Sequence, residues 1–309
     1  MISSSARGAM SEAVFGSAAR GDSDSLSDRD YLIVDNDLEV LNRRGRELRS
    51  KGWSVASYTF AKLNHLAANG VLFIQHIKGE SVILSDKDGQ LEALLKGFCA
   101  RSDYSDELDA NARLAAIVSE RPGTPEGALW AADVLYVTFR NFGVLTAAQT
   151  GNYVFAYSAV VEALIGTGVL NEQARSPLLK LRFLKSLYRS GEKFSSRQVE
   201  EALQSAIGHL PKPWFPAQSI PIEPREVLLS ARRASQGASA YERLRGLEKC
   251  FIAADSVFPA FKASKEALRL RSWIENPRAY ASLASSMERE HLTFLRGTLK
   301  RHQAKQIAL

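Results

Sequence analysis

The residue types best suited to chemistry lie in the stretch AVFGSAARGDSDSLSDRDYLIV, residues 13–34. Asp28 and Asp30 flank Arg29 just ahead of the apolar run Tyr31-Leu32-Ile33-Val34. Side chains two apart on a strand share a face, so the spacing predicts a strand over 28–34 whose two carboxylates converge. Upstream, residues 13–15 read as a strand ending in the turn Gly16-Ser17. A glycine there lets the backbone approach a ligand, and the serine adds a hydroxyl beside exposed N–H groups. Arg20 and Gly21 belong to the same loop. A phosphate cradle facing a pair of hard oxygen ligands suits Mg²⁺. The chemistry served by such a pair is phosphoryl or nucleotidyl transfer.

Gly16-Ser17, a spacer, Ser27-Asp28-Arg29-Asp30 and the apolar run together resemble the signature of polymerase-β-like nucleotidyltransferases. The form GSAARG…SDRD is most similar to the minimal members of that superfamily. The resemblance implies a small mixed β-sheet domain in which Asp28 and Asp30 are catalytic and hold Mg²⁺ (or Mn²⁺). It implies an NTP substrate such as ATP, with Gly16, Ser17 and Arg20 on its phosphates. A nucleoside monophosphate would pass to an acceptor hydroxyl with release of pyrophosphate. A protein side chain, a nucleic-acid end and a small molecule such as an aminoglycoside all stay open as acceptor. The family often has a helix before the first strand, and residues 1–10 are too short and polar for one.

Family members usually add a third acid on the next sheet strand. Here residues 53–60 should form that strand. Its facing positions are Ser54, Ala56 and Tyr58, or Val55, Ser57 and Thr59, and none is acidic. Either Glu80 or Asp86 reaches the site from the following strand, Glu80 being the better placed, or substrate and water complete the metal shell. The alternative is a catalytically degenerate nucleotide-binding module, regulatory or antitoxin-like.

Other candidates carry less. Asp22 and Asp24 read as loop polars. His65, and His76 inside the apolar VLFIQHI, read as hydrogen-bonded structural residues rather than bases. No Cys/His cluster has zinc spacing, and neither a nucleophile elbow nor a P-loop occurs. Arg182, Lys185 and Arg189 share a helix face, with Leu179, Phe183, Leu184 and Leu187 on the core side. This basic stripe is either a solvated face or, with Lys185 at its centre, a seat for triphosphate or an acceptor backbone at the rim of a cleft. Arg140, inside an apolar helix, calls for a partner such as Asp133 or faces that cleft. The C-terminal run Arg296, Lys300, Arg301, His302, Lys305 reads as a solvated helix end.

The elements that must position these residues follow from pattern. Residues 38–51 read as a helix capped near Asp37 and stopped by Gly52. Residues 53–60 alternate as a strand, 61–69 form a short helix, 71–77 fit helix or strand, 81–84 an edge strand and 86–89 a turn. From 91 onward helices follow at 91–100, 105–120, 125–142, 153–166, 177–189 and 196–207. The prolines of 208–225 mark an extended connector. Further helices are expected at 225–235, 238–254, 259–275 and 277–303. The fold class is therefore α+β, a mixed-sheet domain over 1–98 followed by an all-α domain over 99–309.

The 309 residues are 45% hydrophobic and 24% charged, enough for a buried core. No apolar run reaches membrane length, no signal peptide is evident, and Cys99 and Cys250 make no disulfide framework. A cytoplasmic protein without a membrane partner is expected. The net charge of +6 is uneven. Residues 1–100 hold 12 Lys and Arg against 13 Asp and Glu, and the remainder 28 against 21. That distribution suits a protein that handles polyanions.

Overall fold

A computed structural model describes residues 10–192, 194–212, 214 and 215, with isolated positions 264, 265, 268, 271, 272, 275 and 297. The polar start, most of the proline-rich connector, the four helices expected after it, Cys250 and the C-terminal basic run lie wholly or largely outside the described residues.

Four five-residue strands make one mixed sheet. They are β1 (Ser11–Phe15), β2 (Asp30–Val34), β3 (Ser54–Tyr58) and β4 (Ser81–Ser85), in the order β3-β2-β1-β4. β1 runs antiparallel to both β2 and β4, while β2 and β3 are parallel. Helices cover both faces of the two inner strands, whose buried residues are mostly apolar, with Ser11 and Glu12 of β1 the buried polar ones. Ala13, Phe15, Leu32 and Val34 join one core, and Tyr31 and Ile33 the other.

β2 begins at Asp30, so the expectation of a strand from residue 28 is corrected. Phe15 pairs with Asp30 at the end of β1, and Gly16 then turns away at φ +67. No β1 residue is left to face 28 and 29. On the other side the Arg29 carbonyl still accepts a bond from the Ser54 N–H at 2.8 Å. Asp28 therefore stands in an exposed lead-in and Asp30 on the strand proper.

A single helical turn, α1 (Ser17–Arg20), follows β1. After β2 comes α2 (Leu38–Ser50). Its start is dictated by Asp37, whose carboxylate accepts the N–H groups of Glu39 at 2.8 Å and Val40 at 3.3 Å. Such a cap contributes about 1 kcal/mol. Leu41 and Leu48 bury α2 against Tyr31 and Ile33. α3 (Phe60–Ala68), α4 (Leu72–Glu80) and α5 (Gln90–Gly97) cover the opposite face through Phe60, Leu63, Ile74, Ile77, Leu91 and Leu95. The ambiguous run 71–77 is thus helix. Asp86 is the anchor of α5: its carboxylate accepts the Ser11 hydroxyl at 2.7 Å and the N–H groups of Leu91 and Glu92.

Helices follow: α6 (Ser105–Ala115) with a 3-10 turn behind it, α7 (Pro125–Gln149), α8 (Tyr157–Gly166), α9 (Arg175–Ser190) and α10 (Ser196–Gly208). α7 runs on past 142, where the apolar pattern alone placed its end. The chain divides into two compact units, Met1–Glu107 with Gly143–Leu164, and Leu108–Phe142 with Ile165–Leu309. The first holds the sheet. In the second, Trp130, Leu135 and Phe139 of α7 and Leu178, Leu181 and Leu184 of α9 are buried. The architecture is α+β, a four-stranded mixed sheet with its helices followed by a helical region. Among the described residues no helix is long and apolar enough to cross a membrane.

Candidate functional site

The turn after β1 brings several of the expected residues together. A Cβ on Gly16 would lie 3.2 Å from Asp30 Oδ2 and 3.8 Å from His76 Nε2. The bare backbone therefore borders a carboxylate and an imidazole at once. Asp30 shares a face with Leu32, the face that α4 covers, which is why His76 of α4 borders the same turn. Ser17 follows directly, and its hydroxyl donates to the Asp28 carbonyl at 3.4 Å. That bond folds the loop of residues 21–29 back over α1. Within the loop, Asp24 accepts the Leu26 N–H and the Ser27 hydroxyl, a local turn as expected of a loop polar.

Glu80, the candidate third acid, lies at the end of α4. Its carboxylate takes the Arg20 guanidinium and accepts from His76 Nε2 at 3.1 Å. Since a carboxylate only accepts, the Nε2 carries the proton in that bond. Burial alone would raise the Glu80 carboxyl, but His76 and then Arg20 outweigh it and hold it below the usual range. Arg20 also donates to Asp22 at 3.1 Å. Gly16 completes the link, its N–H donating to the Glu80 carbonyl at 3.0 Å. One N–H expected to cradle phosphate is therefore already engaged. His76 is boxed by aromatic rings, edge-on to Phe15 at 5.4 Å and stacked on Phe155 at 4.4 Å.

The third-acid question has a structural answer on β3. Ser54 lies opposite Asp30 and Ala56 opposite Leu32, so no carboxylate projects beside the pair from that strand. Asp86 is spent on α5. Among the described residues no group of three or more His, Cys, Asp or Glu could hold a metal ion. The one carboxylate placed beside the bare turn is that of Asp30, a hard oxygen ligand of the kind Mg²⁺ takes, since that ion binds proteins through one or two carboxylates and draws its other ligands from phosphates and water.

The basic stripe of α9 turns out differently. Lys185 is buried in the second unit, its Nζ 5.0 Å from the centre of the Tyr136 ring. Arg189 Nε donates at 2.9 Å to Asp133, which is itself buried. Phe183, assigned to the core, is exposed, whereas Leu178 and Leu181 are buried. The apolar arc of α9 is rotated toward 178, 181 and 185. The aliphatic stem of Lys185 serves as core on that side.

His76 is hydrogen-bonded and packed between rings, as expected of a structural histidine; the part that pattern did not show is its partner. If 71–77 is read as helix, His76 and Glu80 stand four apart and must be neighbours. No protein-family model, curated protein or solved structure matches the chain.

Proposed function

We propose that the chain is a metal-dependent nucleotidyltransferase, acting at the end of the sheet where β1 turns and β2 begins. The observation that carries this reading is the Gly16 turn, kept free of a side chain 3.2 Å from the Asp30 carboxylate. Asp28 and Asp30 would hold Mg²⁺ or Mn²⁺, which when bound would supply positive charge to offset that of the transferred phosphoryl group. The Ser17 hydroxyl and Arg20 bind the outer phosphates. Arg20 can exchange partners, because a partly solvated pair such as Arg20–Glu80 contributes about 1 kcal/mol or less. Bonds from arginine to phosphate are stronger than that. The acceptor hydroxyl attacks the α-phosphorus and gives its proton to water, the bond from the α-phosphorus to the bridging oxygen breaks, and pyrophosphate leaves with that oxygen.

A second reading, nucleotide binding without transfer, is favoured by Ser54 standing opposite Asp30 and by Glu80 being held by Arg20 and His76. Incubation with Mg²⁺ and each labelled NTP, scored for pyrophosphate, separates the two. Thermal melting tests the site itself. Mg²⁺-NTP at 100 times its Kd stabilises a binder by about 2.7 kcal/mol. Wild type gains that stability, and Asp30→Asn loses it. Equal ligand response in both proteins would overturn the assignment.

A further inference from the structure

The two flanks of α2 differ in how their charges are matched. On the flank toward β1, Arg44 makes a bidentate pair with the buried Glu12, at 2.8 and 3.0 Å. Arg44 also binds Glu47, which takes Lys51 as well. Every charge on that side has a counterpart.

The flank toward β3 is different. Gly45 is buried there, and a Cβ on it would lie 3.0 Å from Arg49 Nη1 and 3.4 Å from the Ser57 hydroxyl. The Arg49 guanidinium thus lies along the helix toward the outer strand of the sheet. Arg46, three positions earlier, stands about 60° round the helix on its solvent side, and Arg43 about another 60° round, so the row curves away from β3 over the outer surface of α2. All three are exposed. At the start of β3, Arg29 lies over the Trp53 ring at 4.0 Å, and it is exposed too. Among the described residues no ion pair or side-chain hydrogen bond involves any of these four arginines. Beside them, Ser57 is exposed on β3, an edge strand, on the face toward α2.

We propose that this flank of α2 and the β3 edge form a binding surface for single-stranded nucleic acid. Unmatched guanidinium groups in a row suit successive phosphates, which they bind in bidentate fashion. Arg29, held flat on Trp53, offers a planar cation on which a base can stack. The exposed Ser57 hydroxyl adds a hydrogen-bonding group for sugar or phosphate. The other flank pairs its own charges, whereas on this side the three arginines outnumber the one exposed carboxylate, Glu39. This surface needs neither metal nor NTP, so it stands or falls apart from the transfer reaction.

The test is fluorescence anisotropy with a labelled single-stranded oligonucleotide of mixed sequence, in EDTA and without NTP, over a range of salt. Arg46→Glu and Arg49→Glu should each weaken binding about tenfold and lower the salt slope by about one. Arg46→Lys keeps the charge and should bind nearly as wild type. Lys87→Glu makes the same charge change beyond β4 and should shift affinity less than about twofold, because surface charges beyond a Debye length are screened. Arg29→Lys keeps charge but loses the plane, and should weaken the oligonucleotide several-fold while leaving heparin binding unchanged. Melting curves confirm that each variant is folded. The proposal is overturned if wild type does not bind the strand or if Lys87→Glu is as damaging as Arg46→Glu. It is overturned equally if Arg29→Lys leaves oligonucleotide binding intact, which would mark a seat for any polyanion.

Discussion

Replacing Gly16 with alanine probes the centre of the site through backbone and side chain together. Gly16 has φ +67 and ψ −144, a combination that costs other residues on the order of 1–3 kcal/mol. The new Cβ would stand 3.2 Å from Asp30 Oδ2, so the carboxylate must give by a few tenths of an ångström. Alanine also narrows the unfolded ensemble, which returns about 0.4–1 kcal/mol. Strain less that return leaves a net loss of up to about 2.6 kcal/mol, to which the crowding of Asp30 adds. At roughly 2–4 °C per kcal/mol for a folding unit of this size, the melting temperature should fall by up to about 10 °C. Gly21→Ala is the control: its φ is +78, but nothing lies within 4 Å of its Cβ. It should lose about 1 kcal/mol at most, after the same return. Melting both variants with and without Mg²⁺-NTP separates strain from site geometry. Gly16→Ala should lose the ligand response because Asp30 is displaced, and Gly21→Ala should keep it. If Gly16→Ala is as stable as Gly21→Ala and responds to ligand as wild type does, the turn has no part in holding Asp30.

Two further outcomes are expected. Lys185→Glu should destabilise the protein by about 3 kcal/mol in urea denaturation, because it puts an unmatched charge in a buried place. A loss below about 0.5 kcal/mol that varies with salt would instead mark Lys185 as a surface charge. Glu80→Gln tests the link between Arg20 and His76 through pH. The folded Glu80 carboxyl is held below its ordinary value, so its stabilisation is present above that value and is lost as pH falls through the folded one. The melting difference between wild type and Glu80→Gln should therefore shrink as pH drops below the ordinary carboxylate range; a constant difference would refute the ionic link.

The sheet was legible because its strands carry strong local signals. Tyr31–Val34 is apolar throughout, and a strand covered on both faces must be. Asp37 and Gly52 bounded α2 by cap chemistry that acts over a few residues. What local pattern could not show was where pairing stops. The Asp28–Val34 run reads as one strand, yet its first two residues fail to pair with β1 because β1 itself ends at Phe15. Helix α9 shows a second limit. Arg182, Lys185 and Arg189 look like a solvent face by residue type, but a lysine stem is apolar, and Tyr136 and Asp133 are waiting for its neighbours from elsewhere in the chain. His76 shows a third, since a short apolar run does not declare its period, and only the helical period places His76 beside Glu80.

The strand that ends at Gly16 has one neighbour close in sequence and one distant. β2 follows within the same short stretch, but β4 closes the other side from far downstream, as the bond between Ser11 and Asp86 across 75 positions illustrates. Contacts so separated carry a loop-closure cost before they return any stability, and they slow folding. While the chain is being synthesised, β1 has one open hydrogen-bonding edge until β4 has emerged. Through that interval the Gly16 turn lacks the Glu80 carbonyl that receives its N–H, and Arg20 lacks the Glu80 carboxylate. The Gly16 turn is therefore among the last features of the sheet to become rigid, although it is among the first to be made.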